Sequence, residues 1–390
     1  MSKHFFIVAG EPSGDAHAAR LMRSLKDLFP DCIFSGIGGV AMEREGLQSL
    51  VPMREISVVG FWEVAKRYPM FRGLLRKCSS MLASGGIDAF IPVDYPGFNL
   101  RLAMSAKQAN VRVVWYIAPQ LWAWGEHRAE RLRTAVDKLL VVFPFEEAFF
   151  RKHSINTQFV GHPLADVAEI RASPTPLPER RTNTGLREIA LVPGSRRQEI
   201  HKNIKVLLEA ASILYSHDRN LAFTLAVAPN LDSDILKPFL HLATTTYQIP
   251  LSLETRSHAL FGRVSAGIVK AGTSTLEAAL CGLPHAMMYR ISPLSYHLAK
   301  RVVRLSHIAL PNIVIDKELH KAALVREFIQ GAATPEALAE EVLRILNDEH
   351  YANLMITGFE ELRMVLGVHT GLDGESVSMR AAREIADVVR

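Results

Sequence analysis

Cysteine is scarce in this chain of 390 residues: Cys32, Cys78 and Cys281 are three in number, lie far apart and show no CxxC spacing. That excludes a disulfide framework and a cysteine zinc site, and leaves three buried thiols as the simplest reading. No stretch approaches the roughly 18 consecutive apolar residues of a membrane span. The N-terminal apolar run, Phe5 to Ala9, is too short for a signal peptide and leads into GEPSGD, not into a cleavage site. It reads as the first strand of a cytoplasmic protein. GxGxxG spacing is missing, which disfavours a nicotinamide or flavin site, and so are GxxxxGK[ST], HExxH, GxSxG and a Ser-His-Asp constellation. The 15 histidines are scattered without ligand spacing. Asp232-Ser-Asp234 has the DxD spacing of some metal-dependent transferases, yet Asp232 precedes a helical pattern and is more simply an N-cap. The expectation is therefore no metal and no cofactor.

What is present describes a soluble globular protein, with 48% hydrophobic and 22% charged residues and length enough for two domains. A net charge of +5 favours anionic partners: a phosphorylated substrate, an acidic membrane surface or a nucleic acid.

The order of patterns is that of an α/β protein. FFIVAG (5–10) reads as a strand, EPSGD as a turn and 16–29 as a helix with Ala18, Leu21, Leu25 and Leu28 on one face. CIFSGIGG (32–39) follows as a second strand, which makes a βαβ opening. In 61–77, the spacing of Phe61, Val64, Tyr68, Phe71 and Leu75 predicts helix, broken in two by Pro69 and Gly73. Such a segment either docks on the sheet or forms a basic, aromatic surface at lipid headgroups. IDAFIPVDYPGF (87–98) reads as a buried strand ending at Asp94 before a Tyr-Pro-Gly turn, VRVVWYIAPQLWAW (111–124) gives one more strand and a Trp-rich loop, and strands at 139–145 and 157–164 complete a sheet of six or seven. Residues 171–188 hold three prolines, many charges and no apolar period, and read as a linker. The second half repeats the grammar from IALVPGS (189–195), and the chain is helical from about 335. The expected architecture is two Rossmann-like, doubly wound domains, 1–170 and 186–366, facing a central cleft. Helices in about 367–390 are expected to return to the first.

Three features carry chemistry. In SAGIVKAGTSTLEAALCGLP (265–284) an apolar strand ends at Gly272 and opens into a helix, with Thr273, Ser274 and Thr275 as candidate caps. A helix N-terminus at the carboxyl end of a strand suits a phosphate or diphosphate, although an ordinary capped βα unit has the same pattern. Glu277, near the start of that helix, can accept hydrogen bonds from ribose hydroxyls or simply favour the helix dipole. In PGSRRQEI (193–200), Ser195, Arg196 and Arg197 follow a strand-end glycine, and the arginines can hold a diphosphate with charge-assisted bonds. Asp94, an acid at the carboxyl end of a parallel strand, is the best general-base candidate of the first half; turn capping is its plainer role.

GEPSGD (10–15), VDYPGFN (93–99), APQLWAW (118–124), the run from 140 to 166, LVPGSRRQEI (191–200), GTSTLEAALCGLP (272–284), YRISPLSYHLAKR (289–301) and LPNIV (310–314) together resemble the lipid-A-disaccharide synthase family. The resemblance runs from near residue 5 to about 345 in the same order and spacing. It implies a metal-independent, inverting glycosyltransferase of the B type. Such an enzyme joins UDP-2,3-diacylglucosamine to 2,3-diacylglucosamine 1-phosphate, releasing UDP and forming a β-1,6 disaccharide. Carried onto this chain, Asp94 is the base for the acceptor 6-hydroxyl. Ser195, Arg196, Gly272, Thr273 and Ser274 hold the UDP diphosphate, Glu277 the ribose, and Asn312 lies at the donor site. Gly10, Ser13, Gly14 and Asp15 line the acceptor side. Phe61, Trp62, Val64, Phe71 and Leu75 become the membrane or acyl contact, on an enzyme attached peripherally to the inner membrane from the cytoplasm. Its partners are the two sugars and an anionic membrane surface, not nucleic acid, and a homodimer is compatible with it. The chain departs from the family pattern at Pro12, where Ala is usual, at Gly97, where IDAPDFN has a second Asp, and at NIVID (312–316) in place of NLLAG. Two rival readings are another nucleotide-sugar enzyme of the same fold and a non-catalytic basic binding protein.

Overall fold

A computed structural model describes residues 2–56, 67–172, 176–180, 185–228, 231, 235–292, 296, 305–368 and 374–390. The chain forms two compact units, Met1–Asp166 with Thr370–Arg390, and Val167–His369.

The first unit is built on seven parallel strands: β1 (His4–Ala9), β2 (Ile33–Ile37), β3 (Leu47–Ser49), β4 (Ala89–Val93), β5 (Arg112–Tyr116), β6 (Lys138–Val141) and β7 (Thr157–Phe159), in the order β3-β2-β1-β4-β5-β6-β7. Phe5 to Ala9 and Ala89 to Val93 are buried throughout, because helices cover both faces of a parallel sheet. Strand order reverses between β1 and β4, which pair from Phe5↔Ala89 to Ala9↔Val93. Their carboxyl ends, Gly10 and Asp94, therefore emerge side by side at the place where such sheets bind ligands. The covering helices include α1 (Pro12–Leu28), α2 (Val40–Arg44), α3 (Tyr68–Ala83), α4 (Pro96–Gln108) and α5 (Pro144–Lys152). The C-terminal helix Val377–Val389 packs on α1, and the Asp166 carboxylate accepts the Val377 and Ser378 N–H groups at its start.

Three local expectations change here, two through proline and one at Gly73. EPSGD is not a turn: Pro12 opens α1, so Ser13, Gly14 and Asp15 form its first turn. No Tyr-Pro-Gly turn follows β4, since Pro96 opens α4 directly. Pro69 stands in the first turn of α3, where a missing N–H costs nothing and the fixed φ is already helical, and 57–66 before it lie outside the described residues. That helix runs unbroken through Gly73. Phe71 and Leu75 are half-buried against the core of this unit, alongside Met70 and Leu74. Phe61, Trp62 and Val64 lie outside the described residues, as do Asp232 and Asp234.

The second unit has six parallel strands: β8 (Arg187–Val192), β9 (Leu221–Ala226), β10 (Leu251–Glu254), β11 (Ala266–Lys270), β12 (His285–Tyr289) and β13 (Glu327–Ile329), ordered β10-β9-β8-β11-β12-β13. The reversal falls between β8 and β11. Helices α6 (Arg197–His217), α7 (Ser257–Arg263), α8 (Thr273–Leu280) and α9 (Leu310–Leu319) follow β8, β10, β11 and β12 in turn. The stretch expected as a linker is tied to this unit: Arg180 is 2% exposed, donates to the Val264 carbonyl and accepts from Ser265 Oγ. Among the described residues, no helix is long and apolar enough to cross a membrane.

Candidate active site

In the first unit, chemistry gathers where β4 ends. Asp94 and Tyr95 both take left-handed backbone conformations, with φ of 47° and 51°. Side chains rarely adopt that region, and each such residue costs on the order of 1 kcal/mol or more. The surroundings hold the pair in place. Asp94 N–H donates to the Tyr116 carbonyl at 3.2 Å. Asn99 Nδ2 donates to the Asp94 carbonyl at 2.7 Å and to that of Val8 at 3.3 Å, fastening the end of β1 to the end of β4. Tyr95 Oη donates to the Ile56 carbonyl at 3.2 Å, while its ring fills the space above Gly10. Asp94 is half-buried, and its pKa is raised to about 6, chiefly by burial and then by the nearby Glu11 charge, against a hydrogen bond from the Tyr95 backbone. A carboxylate poised near neutrality suits a general base.

Glu146, near the start of α5, is a second acid in this neighbourhood. It is fully buried, and burial raises its pKa to about 7 with a further contribution from Asp94. Its Oε1 accepts Trp122 Nε1–H at 2.8 Å, and Oε2 accepts the Val142 and Phe143 N–H groups, both at 3.1 Å. Glu146 therefore closes the start of α5 and fixes the half-buried Trp122, whose ring meets Phe145 edge-on at 4.9 Å. His162 is buried beside Phe143 and stays neutral, its pKa lowered to about 3 by burial.

The other residues expected on this side have mixed placements. Ser13 is exposed, and Gly14 is buried against Ala9. Asp15 is 7% exposed, and its carboxylate accepts the N–H groups of Gly39, Ala41 and Met42 at 2.8–3.1 Å. It caps α2 across the sheet end, a structural duty.

In the second unit, the neighbouring strands β8 and β11 bring two turns together. Gly194 (φ 113°) leads to exposed Ser195 and Arg196, and Gly272 (φ 138°) leads into α8. Gly272 itself is the N-cap residue, with no side-chain cap; Thr275 Oγ1 donates back to the Gly272 carbonyl. Thr273 and Ser274 thus stand in the first turn, not at the cap, where helix N–H groups have no preceding carbonyl to serve. Glu277 is partly exposed one turn on, with Oε1 3.4 Å from His258 Nε2 of α7. Asn312 of α9 is fully buried and fully engaged: Nδ2 donates to the Val325 carbonyl and Glu327, and Oδ1 accepts the Leu324 and Val325 N–H groups. It braces the approach to β13.

Four side chains at these sites escaped the sequence reading: Asn99, Glu146, Glu199 and Lys270. Glu199 Oε1 lies 2.8 Å from Lys270 Nζ and 3.3 Å from an Arg196 guanidinium nitrogen. Two of the four had a usable signal. Lys270 is a charge closing an otherwise apolar buried strand, and Glu146 stands two residues after Pro144.

The family described as Lipid-A-disaccharide synthetase matches residues 5–364. A lipid-A-disaccharide synthase of Anaeromyxobacter dehalogenans (strain 2CP-1 / ATCC BAA-258) is 37% identical over 395 residues, covering 100% of this chain and 98% of the relative. One from Trichlorobacter lovleyi is 38% identical over 370 residues, covering 94% of each. Among solved structures, a UGT transferase from Siraitia grosvenorii in complex with UDP superposes with a TM-score of 0.60 at 13% identity, covering 100% of both chains. That likeness concerns the fold, two Rossmann-like units of the glycosyltransferase B type. With the match spanning nearly the whole chain, this protein belongs to the lipid-A-disaccharide synthetase family.

Proposed function

We propose that the protein transfers 2,3-diacylglucosamine from its UDP donor to the 6-hydroxyl of 2,3-diacylglucosamine 1-phosphate with inversion, forming the β-1,6 disaccharide and UDP. The observation that carries the chemistry is Asp94, held at the end of β4 in a strained turn with its pKa raised to about 6. Asp94 takes the O6 proton as O6 bonds to the anomeric carbon, and the bond from that carbon to the diphosphate oxygen breaks with its electron pair leaving on UDP. Preorganised donors stabilise this developing charge, and losing one typically costs about 10² to 10³ in rate. The turn at Gly272 to Ser274 and Arg196 are suited to that role in the second unit, with Glu277 on the ribose. The Gly10–Tyr95 contact shapes the acceptor side, to which Ser13 and Gly14 belong in the same reading.

The lipid part of the reading draws support from α3, where Arg72, Arg76 and Lys77 are exposed and Tyr68 is 54% exposed. Cations beside an exposed aromatic ring suit an anionic headgroup layer, consistent with peripheral attachment to the inner membrane from the cytoplasm. Each buried CH₂ of a donor chain is worth about 0.8 kcal/mol, so acyl recognition governs affinity. The test is UDP release with acylated against non-acylated UDP-glucosamine, each with the acylated acceptor. A strong preference for the acylated donor is expected. Equal turnover of the two would remove the lipid assignment.

A further inference from the structure

Lys270 is the last residue of β11, and a lysine there is unusual company for Ile268 and Val269, both fully buried. Its side chain is only 16% exposed, so the ammonium does not reach freely into water. It lies instead over the strand-end turn: a Cβ placed on Gly272 would have Lys270 Nζ, at 3.9 Å, as its neighbour. The positive end of α8 starts at that turn. An ammonium beside a positive helix end is unfavourable unless an anion joins them.

The anion present is Glu199 of α6. Its Oε1 is 2.8 Å from Lys270 Nζ and 3.3 Å from Arg196, so one carboxylate divides itself between two cations. Its other oxygen lies against the Gly194 turn, 2.5 Å from where a Cβ on that glycine would sit. Tyr289, at the end of β12, also feels the Glu199 charge. Two adjacent strand ends, those of β8 and β11, thus converge on a single carboxylate, in the place proposed for a diphosphate.

We propose that Lys270 is a diphosphate-binding residue of the donor site and that Glu199 is the surrogate anion from which the incoming diphosphate draws it. The inference rests on the UDP-donor reading and adds a charged ligand to it. Glu199 keeps Lys270 and Arg196 ordered before the donor arrives, which lowers the entropy cost of gathering them around the phosphates. The diphosphate offers both cations more oxygens than one carboxylate can.

The experiment is calorimetric titration of the full-length protein with UDP and, separately, with uridine. In Lys270→Met, UDP binding is expected to weaken by about 10- to 100-fold, the range for losing a hydrogen bond between charged groups. Uridine, which lacks the phosphates, is expected to bind within about twofold of the wild type, and that arm also shows that the variant folds. Lys270→Arg is expected to recover most of the UDP affinity. Glu199→Gln, which leaves both cations in place, is expected to bind UDP at least as tightly as the wild type. Unchanged UDP affinity in Lys270→Met, or equal weakening of UDP and uridine, overturns the role of Lys270. A loss in Glu199→Gln as large as in Lys270→Met overturns the surrogate role of Glu199. If wild-type protein binds neither UDP nor uridine, the donor assignment itself falls.

Discussion

The ring of Tyr95 occupies the volume that a side chain on residue 10 would need: a Cβ built on Gly10 lies 2.3 Å from Tyr95 Cγ. Gly10 follows β1 and Tyr95 follows the end of β4, so the contact locks the two central strand ends next to Asp94. Gly10→Ala pushes the Tyr95 ring away and shifts the left-handed turn that carries the base. A displacement near 1 Å can cost about 100-fold in rate, and kcat is expected to fall by about that factor. Steady-state kinetics beside a thermal melt check it; a folded variant with unchanged kcat refutes the coupling.

Asp94 sets both a rate and a stability profile. As a base it works ionised, so kcat/KM is expected to rise with pH through about 6 and level off above. Asp94→Asn is expected to abolish turnover while UDP binding persists, and near-normal rates would reject Asp94 as the base. The sign for stability is the opposite of an ion-paired acid. Its folded pKa is raised, so the favourable neutral form is fully present below the unfolded value near 4 and is lost as pH rises through about 6. Asn mimics the neutral acid, so the variant is expected to match the wild type at pH 4 and to exceed it by on the order of 1–2 kcal/mol above pH 7. Denaturant melts across that range measure the difference.

Asp15 is expected to matter for folding more than for rate. Its carboxylate accepts three backbone N–H groups of α2, and Asp15→Ala leaves them without a partner. A lost cap of this kind costs about 1–2 kcal/mol, which lowers Tm by several degrees. Substrate KM is expected to stay within about twofold. An unchanged Tm with a large rise in acceptor KM would return Asp15 to the acceptor site.

Asn312→Ala deprives Leu324, Val325 and Glu327 of their shared partner in a fully buried place. Leaving buried donors unsatisfied costs about 1–3 kcal/mol apiece, so a clear drop in denaturant midpoint is expected. The surviving folded protein is expected to bind UDP with affinity close to wild type. Full stability combined with lost UDP binding would mark Asn312 as a direct donor contact.

The sequence determined a good deal of this protein on its own. The apolar runs at 5–9, 89–93 and 266–269, each leading into a helical period, are local patterns of burial and backbone preference, and they specify parallel strands followed by helices. They also place Asp94 and Gly272 at strand ends, since one stretch of chain contains both strand and turn. Tertiary structure decided the rest, because strand order is not written in any single stretch. Only the pairing of β1 with β4 sets Gly10 against Tyr95, and only the pairing of β8 with β11 carries Lys270 to Glu199, 71 positions away in the chain. The same holds for carboxylates: that Asp15 caps α2 and that Glu146 is buried and bonded to Trp122 is legible only in the fold. An acid's role depends on which N–H groups and charges the fold brings within about 3 Å of it, and a linear pattern does not contain those distances.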